Sequence, residues 1–299
     1  MVGVNNTHWI FISGMKSEKD DKDRFLNDIY WGIAVLLNKQ VQKDHIDIIL
    51  DPVTEPLNPT VKDMFSTLTI HDTSKCFEVI NLKQDLENLI IVFTGHGSIY
   101  GLDSDNSIKP NKLIEIIHNS NKKNVALIFG QCFAGIYNYT NVINKNKDQS
   151  VCIIGASHLN SSVSSSCSMT VGTTNIVWTA NIFLFHFFNW ILSPTDIDGD
   201  GNASLVDAFK FSGGQSSSHL LNEKKTSYMQ LYNLSKRLDE LKKQKVRMNS
   251  SKRKKQEANT KLEIKSIETT IMEYTGVNHV IQDPWILNAN KAREFIFSI

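Results

Sequence analysis

A histidine and a cysteine each stand just after an apolar run of the chain. His96 follows the run at residues 89–93, and Cys132 follows the run at residues 125–129. Such runs predict strands that are buried on both faces, and the carboxyl ends of parallel strands meet at one edge of a sheet. An imidazole beside a thiol allows the cysteine to react as a thiolate. The pair is therefore a candidate base and nucleophile, with a core histidine and an inert buried cysteine as the alternative.

A second group of oxygen-bearing residues lies in the segment 196–207. An EF-hand loop presents oxygen ligands at alternating positions and ends on an acidic residue, with a glycine at its sharp turn. Here Gly201 stands at the turn. The ligand positions hold Asp196, Asp198, Asp200, Asn202, Ser204 and Asp207. The segment predicts a Ca²⁺ site, with Mg²⁺ as the alternative ion because Asp207 is shorter than the usual glutamate. An acidic turn that caps a helix is the alternative without metal.

Alternating strands and helices would position these residues. The predicted strands are residues 9–14, 46–50, 89–93, 125–129 and 151–155. Helices are expected between them, near residues 23–38 and 111–119. This alternation is typical of an α/β fold with a doubly wound, mostly parallel sheet. Residues 280–284 and 292–297 are expected to return to the sheet as a strand and a closing helix.

The most apolar stretch, residues 176–192, raises the question of a membrane span. Asn181, His186 and Asn189 interrupt the stretch, and no basic flank follows it. The prediction is therefore a helix that is buried between protein layers, and no membrane partner is expected.

The composition is that of a globular protein, since 41% of the residues are hydrophobic and 21% are charged. A net charge of +1 gives no electrostatic reason to expect nucleic acid as a partner. The four cysteines lie far apart and form no CxxC pair, so neither a disulfide framework nor a zinc site is expected. No secretory signal is visible at the start of the chain, and the expected location is the cytoplasm.

Residues 216–275 have a different pattern. Apolar residues recur there at three- and four-residue spacing in two stretches, which is typical of coiled-coil seams. The seam residues are Leu231, Leu234, Leu238 and Leu241 in the first stretch and Ile264, Ile267, Ile271 and Tyr274 in the second. We expect an antiparallel helical hairpin, inserted into an α/β domain that is formed by residues 1–215 and 276–299. The basic run at 249–255 is interpreted as a solvated turn, with nucleic-acid binding as the alternative. The hairpin either extends the surface of the protein or is a docking surface for a regulatory protein.

Several short motifs resemble the caspase-like cysteine peptidases, and within them the legumain-type group. The segment Thr94-Gly95-His96-Gly97-Ser98 resembles the histidine loop of that family, and Gly130-Gln131-Cys132-Phe133-Ala134-Gly135 resembles its cysteine loop. Arg24 and Asp28 match an arginine and an aspartate at the same spacing after the first strand. The serine-rich segment 155–165 resembles the loop that lines the primary specificity pocket. The resemblance implies a three-layer sandwich with a mostly parallel central sheet.

The resemblance also implies a role for each site residue. Cys132 attacks the scissile carbonyl, His96 transfers a proton to the leaving amine, and a backbone amide at Gly97 holds the oxyanion. The implied substrate-binding residues are Arg24, Ser157 and Ser164. Arg24 would favour an acidic or polar side chain at the cleavage site. The alternative for Arg24 is a surface position where it pairs with Asp28.

Two positions depart from the legumain-type pattern. Lys22 stands where an asparagine would orient the histidine, and an ammonium group has no acceptor for an imidazole N–H. Asp21 or Asp23 is the alternative acceptor if the loop is shifted by one residue. Gly130 stands where relatives that select basic residues carry an acid, two positions before the cysteine. The catalytic machinery is therefore expected without a preference for asparagine or arginine.

The sequence favours a cysteine endopeptidase that cleaves a partner protein or peptide, with calcium either activating the enzyme or stabilising its fold. A transamidase of the legumain type is one alternative, because an acyl-enzyme can react with an amine as well as with water. The alternative outside enzymology is a calcium-responsive pseudo-peptidase adaptor that recruits a partner through its hairpin. Lys22 and Gly130 favour the adaptor, whereas the presence of both catalytic residues favours the peptidase.

Overall fold

The structure is a computed structural model, in which the described residues are 1–15, 22–56, 58–104, 108–143, 148–171, 174–247 and 253–298. The chain divides into two units. The first unit contains Met1–Ser216 and Ile281–Ile299, and the second contains Ser217–Val280. The described strands all belong to the first unit.

The first unit is built around a mostly parallel sheet. The described strands are β1 (Val2–Gly3), β2 (Thr7–Gly14), β3 (Ile46–Asp51), β4 (Thr69–Asp72), β5 (Asn88–Gly95), β6 (Gly97–Ser98), β7 (Gly101–Leu102), β8 (Asn124–Phe129), β9 (Ser150–Gly155), β10 (Ser164–Val171), β11 (Thr174–Asn181), β12 (Trp285–Leu287) and β13 (Phe297–Ser298). Seven of them form one sheet in the order β12-β9-β8-β5-β2-β3-β4. Neighbouring strands are parallel, except that β12 runs antiparallel to β9 at the edge. The remaining strands pair as β1 with β13, β6 with β7, and β10 with β11.

Helices cover both faces of this sheet. The described α-helices are α1 (Lys22–Asn38), α2 (Pro59–Phe65), α3 (Cys76–Ile80), α4 (Pro110–Asn119), α5 (Ile182–Leu192), α6 (Leu205–Arg247), α7 (Arg253–His279) and α8 (Ala289–Glu294). Successive residues of a strand point to opposite faces. In β2, Ile10 and Ile12 join a buried cluster with residues of α3 and α4, whereas Phe11 stacks on Phe188 of α5 with ring centroids 5.8 Å apart. The predicted α/β fold with a mostly parallel sheet is confirmed.

Residues 176–192 do not form the single helix that was expected. Their first part belongs to β11, which pairs antiparallel with β10, and α5 begins only at Ile182. Buried and exposed residues alternate along β11, which is the period of a half-buried strand. The Asn181 side chain then accepts a hydrogen bond from Leu184 N at 3.0 Å and caps α5. Among the described helices, none combines the length and the apolar character that a membrane crossing requires.

The end of the chain returns to the sheet at other residues than expected. The strand is β12 and not residues 280–284. The closing helix α8 begins at Ala289 and ends at Glu294, so it overlaps only the first part of the predicted segment 292–297. The indole of Trp285 donates to Ser157 O at 2.8 Å and fixes β12 at the edge of the sheet. Sequence reasoning also missed β4, because this edge strand is not fully buried and so carries no apolar run.

The second unit consists of the later part of α6 and of α7. The Ser227 hydroxyl donates to Tyr274 O at 2.7 Å, and Arg237 pairs with Glu263 at 2.8 Å. None of the predicted seam residues is fully exposed, and Leu241 and Ile267 are buried. The two helices therefore contact each other through these polar pairs. The side chains of the predicted basic turn at 249–255 lie outside the described part of the chain.

Gly32 allows α1 to approach the sheet closely. A Cβ at this position would lie 2.6 Å from ring atoms of both Phe11 and Phe188. We therefore expect Gly32→Val to lower the free energy of unfolding by about 2 kcal/mol through overpacking, measured by urea denaturation. Gly214→Ala is the control, because Gly214 is exposed in α6 with no atom near its missing Cβ. Alanine there is expected to raise stability by about 0.5–1 kcal/mol, and equal effects at the two positions would contradict the close packing.

Candidate active site

The histidine and cysteine loops lie against each other at the carboxyl edge of the sheet. β5 and β8 are hydrogen-bonded neighbours with Phe93 opposite Phe129, so the residues that follow them emerge side by side. The contact between the loops is direct, because a Cβ on Gly97 would collide with the carbonyl oxygen of Cys132. His96 and Cys132 are both partly exposed. The fold thus brings together the two loops that the sequence paired.

The edge where these loops meet adjoins a reversal of the strand order. From β2 the sheet grows towards β3 on one side and towards β5 and β8 on the other. In open α/β sheets, ligands bind in the crevice outside the carboxyl ends of the strands at such a switch point. The two loops therefore occupy a place in the fold where binding sites are common.

His96 is held by the segments on both sides of it. Its backbone N–H donates to Gly14 O at 2.9 Å, and its carbonyl accepts from Asp103 N at 2.9 Å. Gly95, the residue before it, has a φ of +101°, and a Cβ there would collide with the Gly14 carbonyl. The imidazole meets the Phe25 ring of α1 edge-on, with ring centroids 5.1 Å apart. The end of β2 and the first turn of α1 therefore position the histidine.

Cys132 begins a sharp turn. The next residue, Phe133, has a left-handed backbone with a φ of +55°, which is uncommon for a residue other than glycine and often found at functional sites. Phe133 N donates to Asn160 O at 2.8 Å, which holds the turn against the segment that follows β9. The Cys132 Sγ lies 3.6 Å from Ser162 Oγ. The thiol therefore has a hydroxyl partner from the serine-rich segment.

Cys132 differs from the other cysteines in its accessibility. The four cysteines are thiols that form no disulfide, and Cys76, Cys152 and Cys167 are buried. Burial raises the pKa of Cys76 and of Cys152 to about 12. Because the thiolate is the nucleophilic form, these two buried thiols are poorly reactive at neutral pH.

A buried carboxyl group, Asp28 of α1, connects β5, which carries the histidine loop, with β11. Its oxygens accept hydrogen bonds from Trp178 Nε1 at 2.9 Å, Thr94 Oγ1 at 3.1 Å and Asn181 N at 3.2 Å. Thr94 belongs to β5, and the other two donors belong to β11. Complete burial raises the pKa of Asp28 to about 7, although the hydrogen bonds and the Arg24 guanidinium act in the opposite direction.

Asn181 extends this network to the cysteine loop. Its Nδ2 donates to Gly130 O at 2.6 Å and to Ser162 Oγ at 3.3 Å, while its Oδ1 caps α5. An asparagine before an apolar helix is a cap signal that can be read from the sequence. The links to Gly130 and Ser162 cannot be read in that way, because they depend on how β8, β10 and β11 pack.

The packing around position 130 explains why this residue is a glycine. A Cβ on Gly130 would lie 2.6 Å from Leu184 Cγ and 3.2 Å from Asn181 Cγ. A carboxylate side chain would need still more room. The start of α5 therefore fills the space in which an acid would stand by the legumain-type pattern.

Arg24 lies in the first turn of α1, near the histidine. It is partly exposed, and its guanidinium carbon lies 4.3 Å from the centre of the Phe25 ring that contacts His96. Asp28 is buried, so the two residues do not form the surface pair that was the alternative for Arg24. Asp21 and the side chain of Lys22 lie outside the described part of the chain.

The serines of the predicted specificity loop have three different surroundings. Ser164 is exposed at the start of β10. Ser157 is fully buried, and its hydroxyl donates to Gln131 O at 3.3 Å. It therefore supports the backbone of the cysteine loop from the protein interior and is not accessible to a substrate. Sequence reasoning missed Ser162, which lies beside the thiol. No feature of the sequence distinguishes it from the neighbouring serines.

Three carboxylates converge in the acidic segment 196–207. One oxygen each of Asp196, Asp198 and Asp207 lies within 4.8 Å of the others. Asp207 is buried, and its Oδ1 accepts from the N–H groups of the second and third residues of the loop at 2.8 and 3.0 Å. Of the other predicted ligands, Asp200 accepts from Asn202 N at 2.9 Å within the loop. The structure thus groups three of the six predicted ligands.

Asp198 lies between two cationic side chains. Its side chain is 7% exposed, and neither oxygen accepts a hydrogen bond from a described residue. Arg293 Nη1 and Lys210 Nζ lie within ion-pair distance of its Oδ2, at 3.0 and 3.4 Å. Ser204 Oγ donates to Asp207 Oδ2 at 2.7 Å and so serves the neighbouring carboxylate. A metal ion at this place would share the Asp198 carboxylate with Arg293 and Lys210.

Comparison with known proteins leaves the family open, since no family model and no curated protein matches the sequence. The class of the protein is therefore inferred from the site. A partly exposed thiol and an imidazole on adjoining loops are suited to nucleophilic attack on a carbonyl group.

The raised pKa of Asp28 predicts a specific pH dependence of stability. The unfolded chain releases this proton near the ordinary aspartate pKa of 3.8, whereas in the folded protein the pKa is about 7, so the folded state binds more protons between these values. Its contribution to stability is therefore largest at low pH and is lost as the pH rises to about 7. Asp28→Asn resembles the protonated carboxyl and should lack this dependence.

We expect the difference in unfolding free energy between wild type and Asp28→Asn to change by roughly 2–3 kcal/mol between pH 5 and pH 8, with the variant gaining as the pH rises. Urea denaturation at both pH values measures this difference. Asp63→Asn is the control, because Asp63 is exposed on α2. A constant difference between wild type and Asp28→Asn across this range would show that the buried carboxyl does not titrate there.

Proposed function

We propose that the protein is a caspase-like cysteine endopeptidase that cleaves a partner protein. The observation that carries this proposal is the packing of Gly97 against Cys132, which sets the histidine and cysteine loops side by side on β5 and β8. The order of the motifs and the buried Asp28 of α1 support it. In this proposal, the sheet with helices on both faces is a caspase-like sandwich, and α6 and α7 form a hairpin inserted in it.

The proposed reaction proceeds through an acyl-enzyme. The Cys132 sulfur bonds to the scissile carbonyl carbon, its proton passes to His96, and a backbone amide at Gly97 donates to the oxyanion. The C–N bond then breaks as the imidazolium protonates the leaving amine. Water hydrolyses the thioester, which releases the acid and restores the thiol.

The surroundings of the cysteine support a specificity without a basic preference. Leu184 and Asn181 leave no room for an acid at Gly130, so a carboxylate that would pair with a basic side chain is missing at this place. Arg24 stands on the histidine side with its guanidinium over Phe25. We propose that it favours an acidic or polar side chain at the cleavage site.

Removal of the nucleophile tests the proposed function. The wild type is expected to cleave members of a diverse peptide library, and Cys132→Ala should lower the rate by at least about 10³-fold because no other group can form the acyl-enzyme. Mass spectrometry of the products measures both. Cys152→Ala, which removes a buried thiol, should keep the activity.

Two outcomes would contradict the peptidase. One is cleavage that persists in Cys132→Ala, and the other is no cleavage by the folded wild type with calcium or with chelator. The second outcome would favour the pseudo-peptidase adaptor, the candidate to which the filled space at Gly130 also gives support.

We also propose that the segment 196–207 binds Ca²⁺, with Mg²⁺ as the weaker alternative. Asp196, Asp198 and Asp207 would hold the ion, which would neutralise carboxylates that are close together. The Asp198 side chain, which is 7% exposed and already faces the cationic groups of Arg293 and Lys210, fits this role. The ion would fix the loop between α5 and α6.

Calcium is expected to stabilise the protein through Asp198. At a free concentration about 100 times the Kd, binding adds about 2.7 kcal/mol, which raises Tm by several degrees. Asp198→Asn should lose this shift, whereas Asp63→Asn on the surface of α2 should keep it. Differential scanning calorimetry with calcium and with chelator measures the shift. The same shift in Asp198→Asn would contradict the proposed site, and the peptidase assay with chelator tests activation separately.

A further inference from the structure

A cavity of about 650 Å³ opens beside the histidine loop in the first unit. Three elements line it: the turn between β6 and β7, the first turns of α4, and the 3-10 helix Ala134–Tyr139 that follows Cys132. The first and the third of these elements continue the histidine and the cysteine loops. The cavity thus adjoins both proposed catalytic loops.

The wall of the cavity is apolar and unusually exposed. Ile99 is 55% exposed, Tyr100 is 72% exposed and Tyr139 is 67% exposed. Clusters of large apolar side chains in contact with water commonly mark sites of interaction. Ile136, a further lining residue, is partly buried beneath them.

The rim of the cavity carries positive charge. Lys109 is exposed just before α4, and Lys112 binds the carboxylate of Glu115 at 3.1 Å. Glu115 therefore neutralises the charge of Lys112, whereas no carboxylate among the described residues pairs with Lys109. The N-terminus of α4 adds positive partial charge at the same place. An acidic group on a ligand is favoured here.

The position of the cavity indicates which part of a peptide would enter it. The side chain that protonates the leaving amine is His96 in the proposed reaction, and the chain runs from His96 directly to the cavity wall at Ile99. Ile99 lies two residues beyond Gly97, a distance of at most about 7 Å along an extended chain. Tyr137 OH donates to Ile108 O at 2.9 Å and ties the 3-10 helix to the start of α4.

We infer that this cavity is the subsite for the substrate segment on the carboxyl side of the cleaved bond, and that it takes a bulky apolar or aromatic side chain next to an acidic residue. This inference rests on the proposed peptidase function and adds to it the class of peptide that the enzyme would cleave. The apolar group lies between Tyr100 and Tyr139, and the acidic group lies near Lys109.

Cleavage of matched peptides tests the subsite. The peptides differ only in the residues after the cleaved bond, which are phenylalanine or alanine in one pair and glutamate or lysine in the other. Burial of an aromatic side chain is worth about 1.5–3 kcal/mol, so Tyr139→Ser should lower kcat/KM for the phenylalanine peptide about 10-fold or more. It should leave the alanine peptide nearly unchanged. Lys109→Glu should reverse the preference between glutamate and lysine.

Phe77→Ser is the matched control, because Phe77 is 50% exposed on α3 and does not line the cavity. If Tyr139→Ser behaves as this control does while the wild type still cleaves, the subsite is wrong and the peptidase stands. If no peptide is cleaved, the affinity of Cys132→Ala for the same peptides is measured by fluorescence anisotropy. Weaker binding of the phenylalanine peptide after Tyr139→Ser then supports the cavity, and unchanged binding overturns it.

Discussion

The buried carboxyl group of Asp28 is the interaction on which the geometry of the site depends. It joins α1 to β5 through Thr94 and to β11 through Trp178 and Asn181. β5 carries the histidine loop, and Asn181 holds the backbone of the cysteine loop at Gly130. Asp28 and its partner Asn181 thus link both loops. If the Asp28 carboxyl group were removed, the donors that it accepts from would be left buried without an acceptor.

The same network shapes the entrance to the thiol. Asn181 caps α5, and this cap places Leu184 in the space beside Gly130. The arrangement that fixes the cysteine loop therefore also excludes an acid from its neighbourhood. In the proposed peptidase, catalytic geometry and specificity would be coupled here, because a residue larger than glycine at position 130 would displace the start of α5 as well as change the surroundings of the thiol.

The parallel sheet could be predicted from the sequence, because its central strands are buried on both faces and form continuous apolar runs. β11 could not be predicted, because its pattern of alternating buried and exposed residues continues without a break into the apolar helix α5. The positions of the histidine and cysteine loops could be predicted from the strand ends alone. The role of Asp28 could not be predicted, since its partners Thr94 and Trp178 lie 66 and 150 residues away in the chain. Contacts of that range depend on tertiary packing, which a local pattern does not contain.

The central claim is that His96 and Cys132 act on one substrate carbonyl, and covalent labelling tests it most directly. A peptide that carries a weak electrophile in place of the scissile bond would be incubated with the folded protein, and the labelled cysteine identified by mass spectrometry. We expect label on Cys132 and not on the buried Cys76, Cys152 or Cys167, with a rate at least about 10-fold lower in His96→Ala. Equal rates in wild type and His96→Ala, or equal labelling of the four cysteines, would contradict the account.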